Sequence, residues 1–233
     1  MKYALVTGST KGIGLAIAQK LSHAGYFVFT NGRSDNPKID MPSDCHYYVK
    51  ADLSALEGVE TLANTVLSKT QKLDCLILNA GTTCRKALLE IGYTEWQQVM
   101  DTNVNMPFFL VQRLFNNIAD NGSVVFISSA TSLKPHATSV PYGVSKAAVN
   151  MLAQNLVKDF APRGIRTNVI CPGFIETEWQ TSKSNEHRQS ITSKIALERF
   201  GTPKDIAEFC YSTIENEYIN GAVIPVDGGY DFK

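Results

Sequence analysis

The chain has 233 residues, a length that suits one α/β domain with a substantial core and is short for two. It contains 22 lysines and arginines against 22 aspartates and glutamates, so its formal net charge at pH 7 is zero. No run of like charges marks a nucleic-acid-binding arm or a patch for anionic membranes, so we expect neither as a partner.

The amino-terminal sequence and the cysteine pattern indicate the cellular compartment in which we expect the protein. Residues 1–6 lead directly into a strand-like run and a glycine turn, unlike a signal peptide or a transmembrane segment. The five cysteines show no C-x-x-C pair and no metal-site spacing. Several lie in apolar runs, so we expect free, mostly buried thiols, no metal and a cytoplasmic location.

Short apolar runs alternate with helix-length amphipathic stretches, a pattern that predicts βαβ units and a parallel sheet. The runs lie at residues 3–6, 27–30, 47–49, 73–78, 124–127, 165–170 and 223–226. With right-handed crossovers they predict an α/β Rossmann fold, a doubly wound seven-stranded parallel sheet with helices on both faces. We expect a single domain over residues 1–233.

The first predicted strand is followed by a glycine-rich turn at residues 7–14 and then by a predicted helix at 15–24. Glycines there let the backbone turn tightly and approach a pyrophosphate, whose charge lies at the helix amino terminus. Three glycines can also be ordinary turn chemistry. Their place between the first strand and a helix favours nucleotide binding.

Four segments together resemble the classical short-chain dehydrogenases/reductases. They are the G-x-x-x-G-x-G spacing within residues 7–14, Asn-Ala-Gly at 79–81, Tyr-x-x-x-Lys at 142–146 and Pro-Gly at 172–173. Each motif is weak alone, but the set in this order is specific, and it covers essentially the whole chain. The resemblance implies an oxidoreductase that uses a nicotinamide cofactor.

The end of the second predicted strand indicates which cofactor. In NAD enzymes an acidic residue about 20 positions beyond the glycines binds the ribose 2′-hydroxyl. Here Arg33 occupies the strand end, and Lys11 adds a second cation that suits a 2′-phosphate, so NADP(H) is favoured over NAD(H). In the alternative, Asp35 binds the ribose and Arg33 is a solvated surface residue.

The resemblance places further cofactor contacts along the chain. Asp52 matches a contact to the adenine edge, although it also suits the N-cap of a helix at 56–67. Thr177 would bind the carboxamide of the nicotinamide. The full set of expected cofactor-binding residues is Gly8, Ser9, Thr10, Lys11, Gly12, Ile13, Gly14, Asn31, Arg33, Ser34, Asp52, Leu53, Asn79, Ala80, Gly81, Tyr142, Lys146, Pro172, Gly173, Ile175 and Thr177.

The catalytic residues that the resemblance implies are Asn103, Ser129, Tyr142 and Lys146. Ser129 would hydrogen-bond the substrate carbonyl oxygen, with Ser128 as the neighbour most easily mistaken for it. Asn103 matches an asparagine whose backbone carbonyl holds a water that passes protons to the lysine. Met106 and Pro107 replace the local sequence frequent in the family, so the geometry of the predicted helix at 94–116 is expected to differ there.

Tyr142 and Lys146 lie one turn apart on one face of a predicted helix. A phenol titrates near ~10, and an ammonium a few Å away favours phenolate by roughly 1–4 kcal/mol. We therefore expect Lys146 to lower the pKa of Tyr142 towards neutrality, whereas the alternative is a surface pair. No histidine forms a nucleophile–base pair for hydrolysis, and His136 is interpreted as a solvated loop residue.

Residues 178–200 are polar and charged, which is typical of a mobile substrate lid and equally of a disordered surface insertion. Residues 174–178 and 199–203 look most like the 3-oxoacyl-acyl-carrier-protein reductase branch. That likeness predicts reduction of a 3-oxoacyl thioester to a secondary alcohol, with acyl carrier protein as a partner. Against it, residues 116–123 contain Asp120 and no lysine or arginine, where basic residues commonly dock the carrier.

Two alternatives remain for the function. The first is a reductase or dehydrogenase of a small free ketone, sugar or steroid-like alcohol. The second is a non-catalytic NADPH-sensing regulator, which would be expected to lose a member of the Ser/Tyr/Lys set, and none is lost here. The family usually assembles as tetramers or dimers through the helices that hold Asn103 and Tyr142, so we expect a homo-oligomer, with a homotetramer first.

Overall fold

The computed structural model describes residues 1–135, 139–230 and 232, and the predicted loop residue His136 lies outside them. The described residues form one sheet of seven parallel strands in the order β3-β2-β1-β4-β5-β6-β7. The strands are β1 (Lys2–Val6), β2 (Tyr26–Gly32), β3 (His46–Lys50), β4 (Leu73–Leu78), β5 (Ile118–Ile127), β6 (Arg166–Pro172) and β7 (Val223–Val226).

The sheet confirms the predicted doubly wound α/β fold. From β1 the chain runs outwards through β2 and β3, then crosses back to place β4 on the other side of β1. Loops that leave the carboxyl ends of β1 and β4 therefore diverge, and a crevice opens between them. β5 is longer than its predicted apolar run, because pairing with β4 already begins at Ile118 and resumes at Ser123 after an irregularity.

Helices cover both faces of the sheet, as predicted. They are α1 (Gly12–His23), α2 (Leu56–Leu67), α3 (Tyr93–Met100), α4 (Met106–Leu114), α5 (Val140–Phe160), α6 (Asn185–Thr192) and α7 (Pro203–Glu215). Apolar residues of α1 and α7 pack on one face, and those of α2, α4 and α5 on the other. Such burial contributes ~25 cal/mol for each Å² of apolar surface removed from water.

A π-helical turn at Asp101–Asn105 joins α3 to α4, so the predicted helix is continuous but locally widened. The amide of Met106 donates to the carbonyl of Asp101, five residues earlier. Pro107 has no N–H for the carbonyl four residues before it, which belongs to Asn103, and its ring would crowd that carbonyl in an α-helix. The widened turn relieves this conflict, as the substitutions at Met106 and Pro107 led us to expect.

The predicted lid is a folded segment and not a disordered insertion. It contains a 3₁₀ turn at Glu178–Gln180 and helix α6. Its second half is anchored by a small apolar cluster in which Ile191, Ile195 and Phe200 pack with Tyr230. The first half of the segment is left beside the crevice.

Two further sequence-based expectations concern the cysteines and the membrane. All five cysteines are free, and four of them are buried. In the part of the chain that the structure describes, no helix has the length and apolarity needed to cross a membrane. Those residues also contain no cluster of three or more His, Cys, Asp or Glu side chains that could hold a metal ion.

Candidate active site

A cleft of about 340 Å³ lies at the carboxyl edge of the sheet, where the loops that follow the neighbouring strands β1 and β4 diverge. Its lining includes most of the residues that the sequence predicted. They are Gly8, Thr10, Lys11, Gly12, Ile13, Gly14, Asn31, Arg33, Asp52, Leu53, Asn79, Ala80, Gly81, Ser129, Tyr142, Lys146, Pro172, Gly173, Ile175 and Thr177. Segments far apart in the sequence thus converge on one site, as open α/β sheets require.

The glycine turn is fastened to the end of β4. The Thr7 hydroxyl oxygen accepts from the amides of Asn79 and Ala80, both over 3.0 Å, and the Asn79 side chain donates back to the carbonyls of Thr7 and Gly8. Gly8 has a φ of +60°, and a Cβ there would lie 2.9 Å from the Ala80 backbone. Asn79 is therefore a structural link between the two walls of the cleft.

The amino terminus of α1 opens towards the cleft. Its N-cap residue, Lys11, is extended and makes no side-chain cap, so its side chain offers no acceptor to the first backbone amides of the helix. Unsatisfied amides at a helix start, next to glycines that expose the backbone, suit a pyrophosphate. The Lys11 side chain reaches across to form an ion pair with Glu178 of the lid.

At the β2 end of the cleft, Arg33 is exposed and lines the wall. Asp35, the alternative ribose ligand, does not line the cleft and forms an ion pair with Lys50. Asp52 lines the cleft, and its carboxylate accepts from the amide of Ser54 over 3.1 Å. The N-cap of α2 is Ala55, so the expectation that Asp52 could cap this helix is wrong.

Three predicted cofactor residues have structural roles or lie outside the lining. Ser9 is fully buried, and its hydroxyl donates to the carbonyl of Val6 over 2.7 Å. Ser34 is exposed and does not line the cleft, while its carbonyl accepts from the hydroxyl of Tyr48. Asn31 does line the cleft, but its amide donates to two carbonyls at the end of β3.

Tyr142 and Lys146, the predicted catalytic pair, are placed by the start of α5. Ser139 is the N-cap, and its hydroxyl oxygen accepts from the amide of Tyr142 over 3.3 Å. Pro141 lies in the first turn, where a missing N–H costs nothing. Tyr142 thus stands at the helix start beside the cleft, and Lys146 follows one turn deeper in the protein.

Ser129 and Ser128 have separate roles at the end of β5. The Ser128 hydroxyl is buried and donates to the backbone carbonyl of Lys146 over 3.0 Å. The Ser129 oxygen accepts from both the amide and the hydroxyl of Thr131, over 3.3 and 2.8 Å. Because two donors occupy the acceptor side of Ser129, its own proton is directed towards another partner. Ser129, and not Ser128, is the serine able to serve the cleft.

Lys146 is a buried cation whose one described hydrogen bond is to a carbonyl. Only 4% of the residue is exposed, and Nζ donates to the carbonyl of Ile127 over 2.8 Å. Burial lowers its pKa to about 8. An ammonium has three N–H donors, so two remain for oxygen acceptors in the cleft, such as ribose hydroxyls.

The pKa of Tyr142 differs from the sequence-based expectation. Withdrawal from water raises it to about 12, against smaller lowering effects from a hydrogen bond with Ser129 and from the charge of Arg85. Lys146 Nζ lies 5.8 Å from the centroid of the phenol ring and is not among the causes of the shift. The expectation that Lys146 would bring this pKa towards neutrality is therefore wrong for this structure, and the phenol is protonated at neutral pH.

Asn103 does not line the cleft, and its side chain connects two segments that do. Its side-chain amide donates to the Thr82 carbonyl and to the Ser145 hydroxyl, both over 2.9 Å, while its oxygen accepts from the Thr82 amide over 2.8 Å. The side chain thus ties the loop after β4 to α5, one residue before Lys146. The backbone carbonyl of Asn103, to which the sequence assigned a role, lies in the π-helical turn.

Eleven lining residues were not predicted, and they fall in two groups. Most are neighbours of predicted motifs, such as Gly32, Ala51, Ser54, Thr82, Ile127 and Ser128, or share a helical face, such as Gln98 and Thr102. Glu178, Trp179 and Gln180 come from the lid. A tryptophan within an otherwise polar segment was a signal for the second group, because large aromatic residues are seldom placed there without a contact.

Residues of the predicted lid line the cleft and pack beside Tyr142, the predicted catalytic tyrosine. The rings of Trp179 and Tyr142 lie 5.8 Å apart in a tilted arrangement. The side-chain oxygen of Gln180 is buried and has no hydrogen-bond partner in the described structure. An unpaired buried acceptor costs about 1–3 kcal/mol, so the cleft is suited to a ligand that offers an N–H or O–H donor there.

These features fit a nicotinamide dinucleotide. The uncapped helix start suits the pyrophosphate, the remaining donors of Lys146 suit the ribose hydroxyls, and the orphaned oxygen of Gln180 suits a donor at the carboxamide end. Thr177, predicted to hold the carboxamide, lines the cleft, and its methyl group would lie 3.4 Å from a Cβ at Gly12.

Comparisons with known proteins agree with this geometry. A family model described as short chain dehydrogenase matches residues 2–188. Glucose 1-dehydrogenase 2 of Bacillus subtilis is 34% identical, over 98% of this chain and 94% of that protein. The 3-oxoacyl-[acyl-carrier-protein] reductase FabG of Aquifex aeolicus is 33% identical, over 98% and 96%.

Solved structures show the same fold. A Pseudomonas aeruginosa structure described as an RhlG/NADP active-site complex superposes with a TM-score of 0.91 at 30% identity, over 99% of this chain and 96% of that one. A short-chain dehydrogenase/reductase from Serratia marcescens reaches 0.92 at 24% identity, over 99% and 98%, which shows the fold alone. The chain therefore belongs to the short-chain dehydrogenase family and is an oxidoreductase that uses a nicotinamide cofactor.

Proposed function

We propose that the protein is an NADPH-dependent reductase that converts a ketone to a secondary alcohol. The observation that carries the proposal is the convergence of Ser129, a protonated Tyr142 and a buried Lys146 on one cleft. A neutral phenol is a proton donor, which is what reduction of a carbonyl requires. When bound, the reduced nicotinamide supplies the hydride.

Each side chain has a defined part in the reduction. Ser129, whose oxygen is already occupied by two donors, gives its proton in a hydrogen bond to the carbonyl oxygen. Tyr142 transfers its proton to the same oxygen as the carbonyl carbon accepts hydride. Lys146, charged below a pKa of about 8, uses its remaining N–H donors to hold the ribose hydroxyls of the cofactor, and a solvent proton restores the phenol.

The β2 end of the cleft supports NADP(H) over NAD(H). Arg33 lines the wall without an ion pair in the described chain, while Asp35 is held by Lys50. A guanidinium binds a phosphate dianion through paired hydrogen bonds, and the Asp35 carboxylate, which could otherwise take the ribose hydroxyl, is engaged by Lys50. The NADP and NADPH complexes among the structural neighbours agree with this preference.

Two substrate classes follow from the relatives. Similarity to 3-oxoacyl-[acyl-carrier-protein] reductases favours a 3-oxoacyl thioester, and similarity to a glucose 1-dehydrogenase favours a sugar or another small free substrate. Residues 116–123 contain no lysine or arginine, so this segment carries no net positive charge. Its one acidic residue, Asp120, forms an ion pair with Arg163. The carrier protein is therefore a weaker expectation than the thioester itself.

We further propose a cytoplasmic homo-oligomer, with a tetramer as the first expectation. Phe108 on α4 and Val144 and Met151 on α5 are exposed apolar residues on the helices that hold the site. Burying them against a second copy would remove apolar surface from water. Light scattering of the purified protein gives the mass directly, and a monomer at micromolar concentration would contradict this expectation.

NADPH oxidation at the absorbance of the reduced nicotinamide, with NADH in parallel, tests the proposal. The panel contains acetoacetyl thioesters, a 3-oxoacyl carrier protein, simple ketones and sugars. Turnover of any ketone with NADPH supports the proposed reaction, and preference among the arms identifies the substrate class. Tight NADPH binding with no turnover across the panel would refute the reductase and favour the sensing role.

A further inference from the structure

Two cations stand at the entrance of the active site without a carboxylate partner. Arg85, in the loop after β4, donates from Nη2 to the carbonyl of Trp179 over 3.3 Å. Trp179 in turn packs its ring on that of Tyr142. The guanidinium is thus connected to Tyr142 through a single residue, Trp179. Its charge is close enough to lower the pKa of the Tyr142 phenol.

Lys183 is the second cation. It follows the 3₁₀ turn of the lid, and its amide donates to the carbonyl of Gln180 over 3.1 Å. Burial lowers the pKa of its side chain, and the charges of Arg85 and Arg188 lower it further. The charges of Arg85 and Arg188 therefore both repel that of Lys183, and the half-buried position of Lys183 makes its charge costlier still.

The nearby carboxylates do not neutralise these two cations. Glu176 forms its ion pair with Arg188, and Glu178 forms its ion pair with Lys11. Within residues 1–135, 139–230 and 232, neither Arg85 nor Lys183 makes an ion pair. Neither side chain lines the cleft itself, but each residue is hydrogen-bonded to one that does, Arg85 to Trp179 and Lys183 to Gln180. Uncompensated positive charge therefore lies beside the cleft, and an anion placed there would relieve the repulsion.

We propose that Arg85 and Lys183 form a subsite for an anionic group of the ketone substrate, a carboxylate or a phosphate, beside the mouth of the cleft. The inference rests on the reductase function proposed above and names its substrate class. Two sources could supply the anion: a carboxylate on a short keto acid, or the phosphate of a phosphopantetheine arm on a 3-oxoacyl thioester. Uncharged ketones and sugars would use the same catalytic groups without this contact.

Matched substrate pairs test the subsite and separate the two sources. The first pair is acetoacetate and its methyl ester, and the second is acetoacetyl-phosphopantetheine and acetoacetyl-pantetheine. In each pair only the anion differs, so the ratio of kcat/KM values isolates its contribution. We expect the charged member of one pair to be favoured at least tenfold, and that pair identifies the source.

Arg85→Gln and Lys183→Gln each remove one charge while keeping a polar side chain of similar length. We expect KM for the favoured anion to rise about tenfold in either variant. For the neutral partner, kcat/KM should change less than twofold in Lys183→Gln. In Arg85→Gln, which also removes a charge that acts on Tyr142, the loss for the charged substrate should exceed the loss for the neutral one about tenfold. Lys194→Gln, at an exposed lid position, is the control for a general loss of positive charge. Equal losses for charged and neutral substrates, or an equal effect of Lys194→Gln, would overturn the subsite.

A binding measurement separates failure of the subsite from failure of the reductase function. The chain has two tryptophans, so Trp96→Phe leaves Trp179 as the single fluorescent reporter beside the proposed subsite. Titration of acetoacetate and of phosphopantetheine into this variant, saturated with NADP⁺, should give a saturable change. The change should weaken about tenfold on adding Arg85→Gln. Binding that survives this substitution refutes the subsite even if no ketone is turned over, whereas weakened binding without turnover refutes only the reductase.

Discussion

The hydroxyl of Thr131 donates a hydrogen bond to the oxygen of Ser129 over 2.8 Å, and the amide of Thr131 donates to the same atom. This pair of contacts fixes the hydrogen-bonding direction of the serine. With its acceptor side filled, Ser129 faces the cleft as a donor, the role that a developing alkoxide requires. Thr131 is therefore a positioning residue, acting through Ser129.

Substitution of both residues tests this relationship. We expect Ser129→Ala to lower kcat by roughly 10²–10³-fold with little change in NADPH affinity, as for loss of one oxyanion donor. Thr131→Val should lower kcat by about tenfold, because the amide contact to Ser129 remains. In the double variant Thr131→Val should add nothing to Ser129→Ala, since both act on one hydroxyl. Additive losses would show that Thr131 acts by another route.

Tyr142→Phe removes the proposed proton donor and leaves the ring that packs on Trp179. We expect kcat to fall at least 10²–10⁴-fold, the usual contribution of a general acid, while NADPH still binds. Ser128→Ala is a suitable control, because that hydroxyl donates to the Lys146 carbonyl and is not available to a substrate. Retained turnover in Tyr142→Phe, measured by NADPH oxidation, would remove Tyr142 from the mechanism.

The pH dependence of reduction should follow Lys146. Its pKa is lowered to about 8 by burial, so the ammonium proposed to hold the cofactor ribose is lost as the pH rises through that value. Tyr142, with a pKa raised to about 12, stays protonated throughout this range. We expect kcat for reduction to be flat near pH 6–7 and to decline above about pH 8. A rate that stays constant up to pH 10 would contradict the assigned role of Lys146.

How much of this site was predictable from the sequence depends on the kind of interaction. The fold, the glycine turn and the shared helix face of Tyr142 and Lys146 follow from local patterns: strand–turn–helix alternation, helical spacing and turn residues. The choice of Ser129 over Ser128 depended on the family resemblance. The structure supplies the physical reason, because the Ser128 hydroxyl is taken up by a carbonyl of α5.

The prediction that was wrong concerned the electrostatics of the site. The sequence led us to expect that Lys146 would lower the pKa of Tyr142, since the two lie one helical turn apart. The spacing of two residues on a helix predicts which way their side chains point, but not how much water surrounds them. Here burial is the largest effect on both groups: it raises the pKa of Tyr142 and lowers the pKa of Lys146. The contacts of Arg85, Trp179 and Glu178 across the cleft were also hidden, because they join segments about 90 or more residues apart.

A stability measurement can check the burial of Lys146 independently of catalysis. Its folded pKa of about 8 lies below the unfolded value of ~10.4, so the unfolded state binds the proton more tightly and the charged lysine opposes folding. This penalty is full below pH 8 and disappears as the pH rises through the unfolded value. The free energy of unfolding of Lys146→Met, relative to wild type, should therefore fall by roughly 2 kcal/mol between pH 7 and 10. Denaturant titration without cofactor measures it, and a constant difference would place Lys146 in water.

The cofactor preference can be tested at the ion pair between Lys11 and Glu178. If both Lys11 and Arg33 face the 2′-phosphate, Arg33→Gln should weaken NADPH binding by about tenfold or more and leave NADH binding unchanged, because only NADPH carries that phosphate. Glu178→Gln should strengthen NADPH binding, since it frees the Lys11 ammonium from a competing carboxylate. Both partners are largely exposed, so this gain should be small, a few-fold at most.

Lys50→Gln is the matched control, because it removes a cation at the end of the neighbouring strand β3, where Lys50 pairs with Asp35 and does not line the cleft. It also frees Asp35, so it tests the alternative ribose ligand. Dissociation constants for both cofactors can be measured by nicotinamide fluorescence. Equal weakening of NADPH and NADH by Arg33→Gln, or tighter NADH binding in Lys50→Gln, would move the ribose contact to Asp35 and reverse the cofactor assignment.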